Sequence, residues 1–175
     1  LKDTPRELKV ITEKKTIALF KELNIFSEVE LHARQEIQYE AYIMKLQIES
    51  RVMGDLAQNH LIPAVVAYQN RLIENVKGMM TVMGEKEAKV LCKTQITLIK
   101  EISEHLNKLK ELTDNMLVAR KEVNKIEDME ARALAYCDQV KPYFDDIRYH
   151  ADKLELLVDD ELWPLPKMRE LLFTR

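Results

Sequence analysis

Between Ile99 and Val123, the apolar residues Ile99, Ile102, Leu106, Leu109, Leu112, Met116, Ala119 and Val123 recur at three- and four-residue steps. That period fits one face of an α-helix and no strand, and so narrow a seam suits helix-on-helix packing. A second run does the same: Ile126, Met129, Ala133, Tyr136, Val140, Phe144, Ile147, Ala151, Leu154 and Val158. Its one irregular step, four residues after four, brackets Pro142, where a missing backbone donor predicts a bend. With only 3 glycines and 5 prolines in 175 residues, the chain has little material for sheet turns. The expected fold is all-α: an elongated antiparallel helical bundle, one domain over residues 1–175, about 70–80 Å long if its second helix is continuous.

Local signals place the boundaries. Thr4-Pro5-Arg6-Glu7 reads as an N-cap, a proline at N1 and an acid at N3, and Thr12 is a competing start. A helix over about 12–23 stops near Asn24, which tolerates the left-handed conformation. Ser27-Glu28-Val29-Glu30 is a capping box, with Phe26 and Leu31 placed as a hydrophobic staple. Helical periodicity then runs over about 28–82, interrupted at Gly54 and Pro63 and ended by Gly84. Helices over 85–123 and 127–159 follow. The tail Trp163-Pro164-Leu165-Pro166 must be extended before a short helix over 167–172 with Pro166 at N1.

The stretch SRVMGDLAQNHLIPAVVAYQNRLIENVKG, residues 50–78, carries residues that a plain core helix does not need. Leu61, Val65, Tyr68, Leu72, Val76 and Met79 form its seam, which leaves Asn59, His60, Asn70, Arg71 and Asn75 beside or opposite. Arg51, Asp55 and Asn59 are successive i,i+4 neighbours that can form one polar ladder. Pro63 crowds the carbonyl of Asn59, so the helix is expected to bend there. The bend either wraps the bundle's own core or offers an anchor to a neighbouring segment.

Catalytic chemistry is not visible. A two-metal bundle site needs Glu-x-x-His pairs. The residues three before His32, His60, His105 and His150 are Val29, Ala57, Ile102 and Ile147. Glu28 with His32, Glu101 with His105 and Asp146 with His150 read as solvated pairs within a helix. The three glycines are isolated, so no phosphate loop exists, and no nucleophile stands beside a base. Asp159-Asp160-Glu161 reads as a hydrated helix end. Met79, Met80 and Met83 read as core or interface filling rather than a binding patch. A formal charge of −3 argues against nucleic acid. The longest apolar run, 61–68, is too short for a bilayer. Cys92 and Cys137 would lie roughly 30 Å apart on antiparallel helices, too far for a disulfide, and read as reduced core thiols of a cytoplasmic protein. A chain that begins with Leu1 and lacks a signal peptide is expected to be part of a longer one.

The segment FSEVELHARQEIQYEAYIMKLQIESRVMGDLAQNHLIPAVVAYQNRLIENVKG and the ending DKLELLVDDELWPLPKMRELLF resemble the C-terminal region of type III glutamine synthetases, the large bacterial form. The resemblance runs from Ala18 to Gly78 and from Ile126 to Phe173, with the central helix similar only in pattern. Its specific pieces are Glu30-Leu31-His32-Ala33-Arg34, Ile48-Glu49, Leu61-Ile62-Pro63-Ala64 and the ending at 158–166. Met168 stands where the family more often has Tyr. The resemblance implies a parent enzyme, a large homo-oligomeric ring, that joins ammonia to glutamate with ATP and Mg2+ or Mn2+. Those ligands belong to upstream β-grasp and catalytic domains, so no catalytic, cofactor or metal residue is expected here. The expected role is structural, with the upstream domain and neighbouring subunits as partners. Candidate interface residues are Arg51, Asp55, Asn59, and Trp163 with Leu165 on the tail, since buried aromatic anchors dominate interfaces. Two rivals are a free-standing adaptor that binds partner helices and a small enzyme with a site between helices.

Overall fold

The computed structural model describes Lys2 to Leu172, and every regular element in that range is helical. Leu1 and the residues from Phe173, where the family resemblance ends, lie outside the described range. In chain order the elements are α1 (Thr4–Lys9), a 3-10 turn (Val10–Thr12), α2 (Lys14–Glu22), α3 (Glu28–Asp55), a π segment (Leu56–Leu61) and α4 (Ile62–Met83). Then come α5 (Glu85–Leu91), α6 (Lys93–Val123), α7 (Met129–Ala135), a second π segment (Tyr136–Val140), α8 (Pro142–Leu157) and α9 (Met168–Leu171).

Several boundaries follow the local chemistry, and several differ from expectation. Both candidate starts near the N-terminus are displaced: Asp3, not Thr4, caps α1 and accepts the Arg6 N–H at 3.1 Å. Thr12 ends the 3-10 turn, and extended Glu13 (φ −67°, ψ 145°) separates it from α2. Asn24 closes α2 with φ 51°, while the Ile25 N–H reaches the Phe20 carbonyl at 3.0 Å. The Ser27–Glu30 capping box forms as expected, with Ser27 N–H to Glu30 Oε2 at 2.7 Å and Glu30 N–H to Ser27 Oγ at 3.3 Å. Phe26 lies 5.7 Å from Phe20 and beneath the Arg34 guanidinium at 4.3 Å. Gly84 ends α4 with φ 81°. The helix expected over 85–123 is broken at Cys92, a fully buried residue with φ −92° and ψ 18°. Asp128 accepts the Ala131 N–H at 2.7 Å and so delays α7 to Met129. Lys167 occupies the α9 cap position, which places Pro166 before the cap rather than at N1.

The two prolines inside long helices are handled alike. The Ile62 N–H donates to the Ala57 carbonyl, and the Lys141 N–H to the Tyr136 carbonyl at 2.9 Å, both five-residue steps. A proline ring collides with the carbonyl four residues back. Widening the turn by one residue moves that carbonyl aside, and Ile62 (φ −56°, ψ −49°) and Lys141 (φ −55°, ψ −37°) stay helical.

The chain divides into two compact units. The first comprises residues 1–52 and 115–144. Its core joins Leu31, Tyr39, Ile43 and Leu46 of α3 to Met116 and Val123 of α6 and to Ala133, Tyr136 and Val140. Gln47 Nε2 donates to Asn124 Oδ1 at 2.9 Å, and the Tyr136 hydroxyl donates to the same oxygen at 2.6 Å. Helix α1 lies antiparallel to α7 and the π segment that follows it, pairing Lys9 with Glu130 of α7 at 2.7 Å and Arg6 with Asp138 of the π segment at 2.8 Å. Buried Gln35 donates to the Leu8 carbonyl, and the Tyr39 hydroxyl to the Pro5 carbonyl.

The second unit comprises residues 53–114 and 145–175. Ala57, Leu61, Val65 and Val76 pack with Ile102, Leu109, Ile147 and Leu154, all 8% exposed or less. Gln58 bonds Asp114 at 3.1 Å and Gln69 bonds Ser103 at 2.8 Å, so α6 descends as α4 rises. Each fully buried aliphatic side chain contributes about 1.5–3 kcal/mol.

Candidate functional site

The polar ladder foreseen below Pro63 forms only in part. Asn59 Nδ2 donates to Asp55 Oδ1 at 2.5 Å, and both side chains are exposed. Arg51 makes no ion pair among the described residues. It lines a cavity of about 320 Å3 in the first unit with Gln47, Ile48, Arg120 and Asn124. The Arg120 Nε is buried with no acceptor among the described residues. Two guanidiniums therefore face one cavity with no carboxylate to answer them. Arg120 was not among the sequence candidates, because it lies sixty-nine positions from Arg51 and only folding joins them.

The tail candidates are placed inside their own unit. Trp163 is 8% exposed, and its backbone N–H donates to the Asp159 carbonyl at 3.0 Å. Its indole N–H finds no acceptor among the described residues. Leu165 is half-buried. Buried Lys167 holds this tail: its Nζ donates to the Glu155 carbonyl at 2.7 Å and the Val158 carbonyl at 2.9 Å, and pairs with Asp160 at 2.6 Å. A cation suits the carbonyl end of α8, whose last turn leaves acceptors unfilled. The acidic triplet is thus not simply hydrated. Asp160 also meets Arg169, and Asp159 lies 3.8 Å from Arg71. Of the methionines grouped by sequence, Met79 and Met80 are half-buried and Met83 is 44% exposed.

Two further clusters were invisible in the sequence. His105 and His150, each assigned to a carboxylate on its own helix, instead meet across α6 and α8 with Nδ1 atoms 2.9 Å apart. Burial first, and His105 second, push the His150 ring below its ordinary value. Asp3, Cys137 and Asp138 offer three ligand atoms within 4.8 Å of one another. Arg6 binds both carboxylates and holds Asp138 below the usual carboxylate range, so the cluster reads as an ion-pair knot and does not suit a metal. Tyr42 faces the Cys137 thiol without a formed hydrogen bond, and burial pushes its hydroxyl up. Cys92 and Cys137 are both free thiols; the former is core, the latter only half-buried.

A family model described as the glutamine synthetase C-terminal domain matches residues 1–80. A glutamine synthetase of Bacteroides fragilis (strain YCH46) is 47% identical over 171 residues, covering 98% of this chain and 24% of its own. A type-3 glutamine synthetase of Dictyostelium discoideum is 33% identical over 175 residues, 100% of this chain and 24% of its own. A glutamine synthetase of Butyrivibrio fibrisolvens is 23% identical across 91% of this chain. The chain therefore spans about a quarter of the length of the curated relatives it matches, and these alignments run through the central helix as well as its flanks. No helix among the described residues is long and apolar enough to cross a membrane.

Proposed function

We propose that this chain, whose residues 1–80 match the glutamine synthetase C-terminal domain and which is 47% identical to a glutamine synthetase over 98% of its length, is a non-catalytic assembly element of such an enzyme. The observation that carries this reading is a second apolar face on α3. Leu31, Tyr39, Ile43 and Leu46 are buried, yet Ile37, Met44, Ile48 and Val52 stand 51–60% exposed on the same helix. At about 100° per residue the two sets centre on opposite sides. A helix that fills only its own core has no use for the second set.

On this reading the parent polypeptide joins ammonia to glutamate with ATP in the cytoplasm, as a homo-oligomer. The nucleotide and the Mg2+ or Mn2+ ions sit on upstream domains, and the residues of this chain carry no step of the chemistry. The helical domain covers the catalytic domain or bridges subunits. A free-standing adaptor is the lesser reading, because the relatives carry the matching segment as about a quarter of a longer chain.

Light scattering beside a coupled synthetase assay, on the full-length polypeptide with and without this segment, tests the proposal. Loss of the full-size particle on deletion is the expected result. A deletion variant that keeps both full particle mass and full activity overturns it.

A further inference from the structure

We infer that the outer face of α3 is the contact between two copies of this chain, packed antiparallel about a two-fold axis near Met44. This deepens the assembly reading above and rests on it.

The exposed apolar stripe runs Ile37, Ala41, Met44, Ile48, Val52, about 22 Å of helix at 1.5 Å per residue. It is self-complementary in one register. When a second copy is laid against it with reversed direction, Ile37 falls opposite Val52, the small Ala41 opposite the larger Ile48, and Met44 beside its own copy. Large against small is how facing helices interdigitate.

Charge selects the same register. A two-fold axis perpendicular to facing helices reverses their direction but keeps each flank facing its own kind. On one flank of the stripe the exposed acids Glu36 and Glu40 lie toward the N-terminal end, and Gln47 and Arg51 toward the other. Pairing that flank with itself brings Glu36 of one copy to Arg51 of the other, twice, with Glu40 facing Gln47. Within one chain neither Glu36 nor Arg51 has an ion-pair partner among the described residues. The cavity beside Arg51, with the unanswered Arg120 at its wall, then receives a carboxylate from the second copy. A parallel pairing would instead set this flank against the opposite one, which carries Gln38, Lys45 and Glu49, so Glu36 and Arg51 would no longer meet, and it would set Ala41 against Ala41 and Ile48 against Ile48 without large-to-small interdigitation. Alone, such a helix pair buries less than a standard interface, so it acts as one contact within a larger assembly.

The experiment uses the full-length polypeptide. Met44→Cys places one thiol at the axis, where facing helices bring Cα atoms within disulfide reach. Mild oxidation should yield a covalent dimer on a non-reducing gel, with the unsubstituted protein as control for Cys92 and Cys137. Adding Glu36→Arg or Arg51→Glu should lower the yield about tenfold, and adding both should restore it, because the swapped pair is again complementary. No dimer from Met44→Cys, or a yield indifferent to the single reversals, or a double variant that fails to recover, overturns the inference. If deletion of the whole segment dissolves the particle while Met44→Cys gives no dimer, the α3 face falls and the assembly role stands. A particle untouched by the deletion sinks the role itself.

Discussion

The Nδ1 atoms of His105 and His150 lie 2.9 Å apart across α6 and α8, with ring centroids 5.1 Å apart. The rings meet nearly head-on, nitrogen to nitrogen. That geometry makes an N–H···N hydrogen bond, with one Nδ1 protonated and the other accepting. It does not aim both lone pairs at a common metal position. Two imidazolium rings would present N–H to N–H, and Lys108 adds to the repulsion while Asp146 opposes it. Because the His150 value is lowered on folding, the unfolded chain binds more protons between the folded value and about 6.5. Stability from this contact is complete above about pH 6.5 and is lost as pH falls below it. Thermal melts at pH 7.5 and 5.5 should show a lower Tm in acid. His150→Asn, which keeps a polar atom near the Nδ1 position without titrating, should flatten that dependence. An unchanged slope in the variant would place the acid sensitivity elsewhere.

Lys167 is held by two main-chain carbonyls and Asp160 while only 8% exposed. Lys167→Met keeps the stem and removes the donors, leaving carbonyls of the last α8 turn unanswered. The expected loss is about 1–3 kcal/mol in denaturant midpoint analysis. The tail, including Trp163, should also become more open to protease than the rest of its unit. A variant as stable and as resistant as the parent would mean that Trp163 packing alone secures the tail.

On α6 the residues Ile102, Leu109, Met116 and Val123 fall every seventh position and are each 1% exposed or less. Leu109→Ala should cost about 2–5 kcal/mol through lost transfer energy and a residual cavity. Val118 on the same helix is 60% exposed, and Val118→Ala should change stability by less than about 0.5 kcal/mol. Equal costs at the two positions would contradict the buried seam.

The helical periodicity, the Ser27–Glu30 box, the left-handed Asn24 and the stop at Gly84 were legible because each depends on residues within one turn of each other. Thr4 before a proline has the local signature of a cap, yet the Asp3 carboxylate one residue earlier satisfies the same orphan donors. The break at Cys92 has no local cue: neither glycine nor proline stands near it, and its neighbours continue the helical pattern.

The polar sites were mostly not legible, for a single physical reason. His105 with His150, Arg51 with Arg120, and Lys167 with the α8 carbonyls are joined by folding across 9 to 69 positions. Local rules instead offer partners four residues away, Glu101 for His105 and Asp146 for His150. The apolar outer face of α3 was present in the sequence, but it blurred the helix into one with apolar residues on both sides. Only the exposure of each side chain in the folded structure separates core from surface.

The π segments leave a trace in the sequence at the two prolines where a bend is expected. Ala57, Leu61 and Val65 are buried at consecutive four-residue steps, as are Tyr136 and Val140 followed by half-buried Phe144. Two steps of four make eight residues against about 7.2 for two turns, so in a plain α-helix the third residue would lie about 80° round from the first, off the seam. A single extra residue held in a π turn restores it, and it also clears the space that each proline needs. The Leu56–Leu61 segment should therefore behave as an α-helix with one residue inserted. Deleting exposed Asn59 in a Pro63→Ala background removes the extra residue and the steric reason for it. The variant should fold, keep Leu61 and Val65 in the core, and melt within a few degrees of the parent, with ΔΔG below about 1 kcal/mol. Pro63→Ala without the deletion should retain the π turn, because the spacing of the seam still demands it. A crystal structure of each variant shows whether the Ile62 N–H reaches the carbonyl five or four residues back. Collapse of the deletion variant, with Pro63→Ala alone fully stable, would mean that the widened turn serves something other than the proline and the seam.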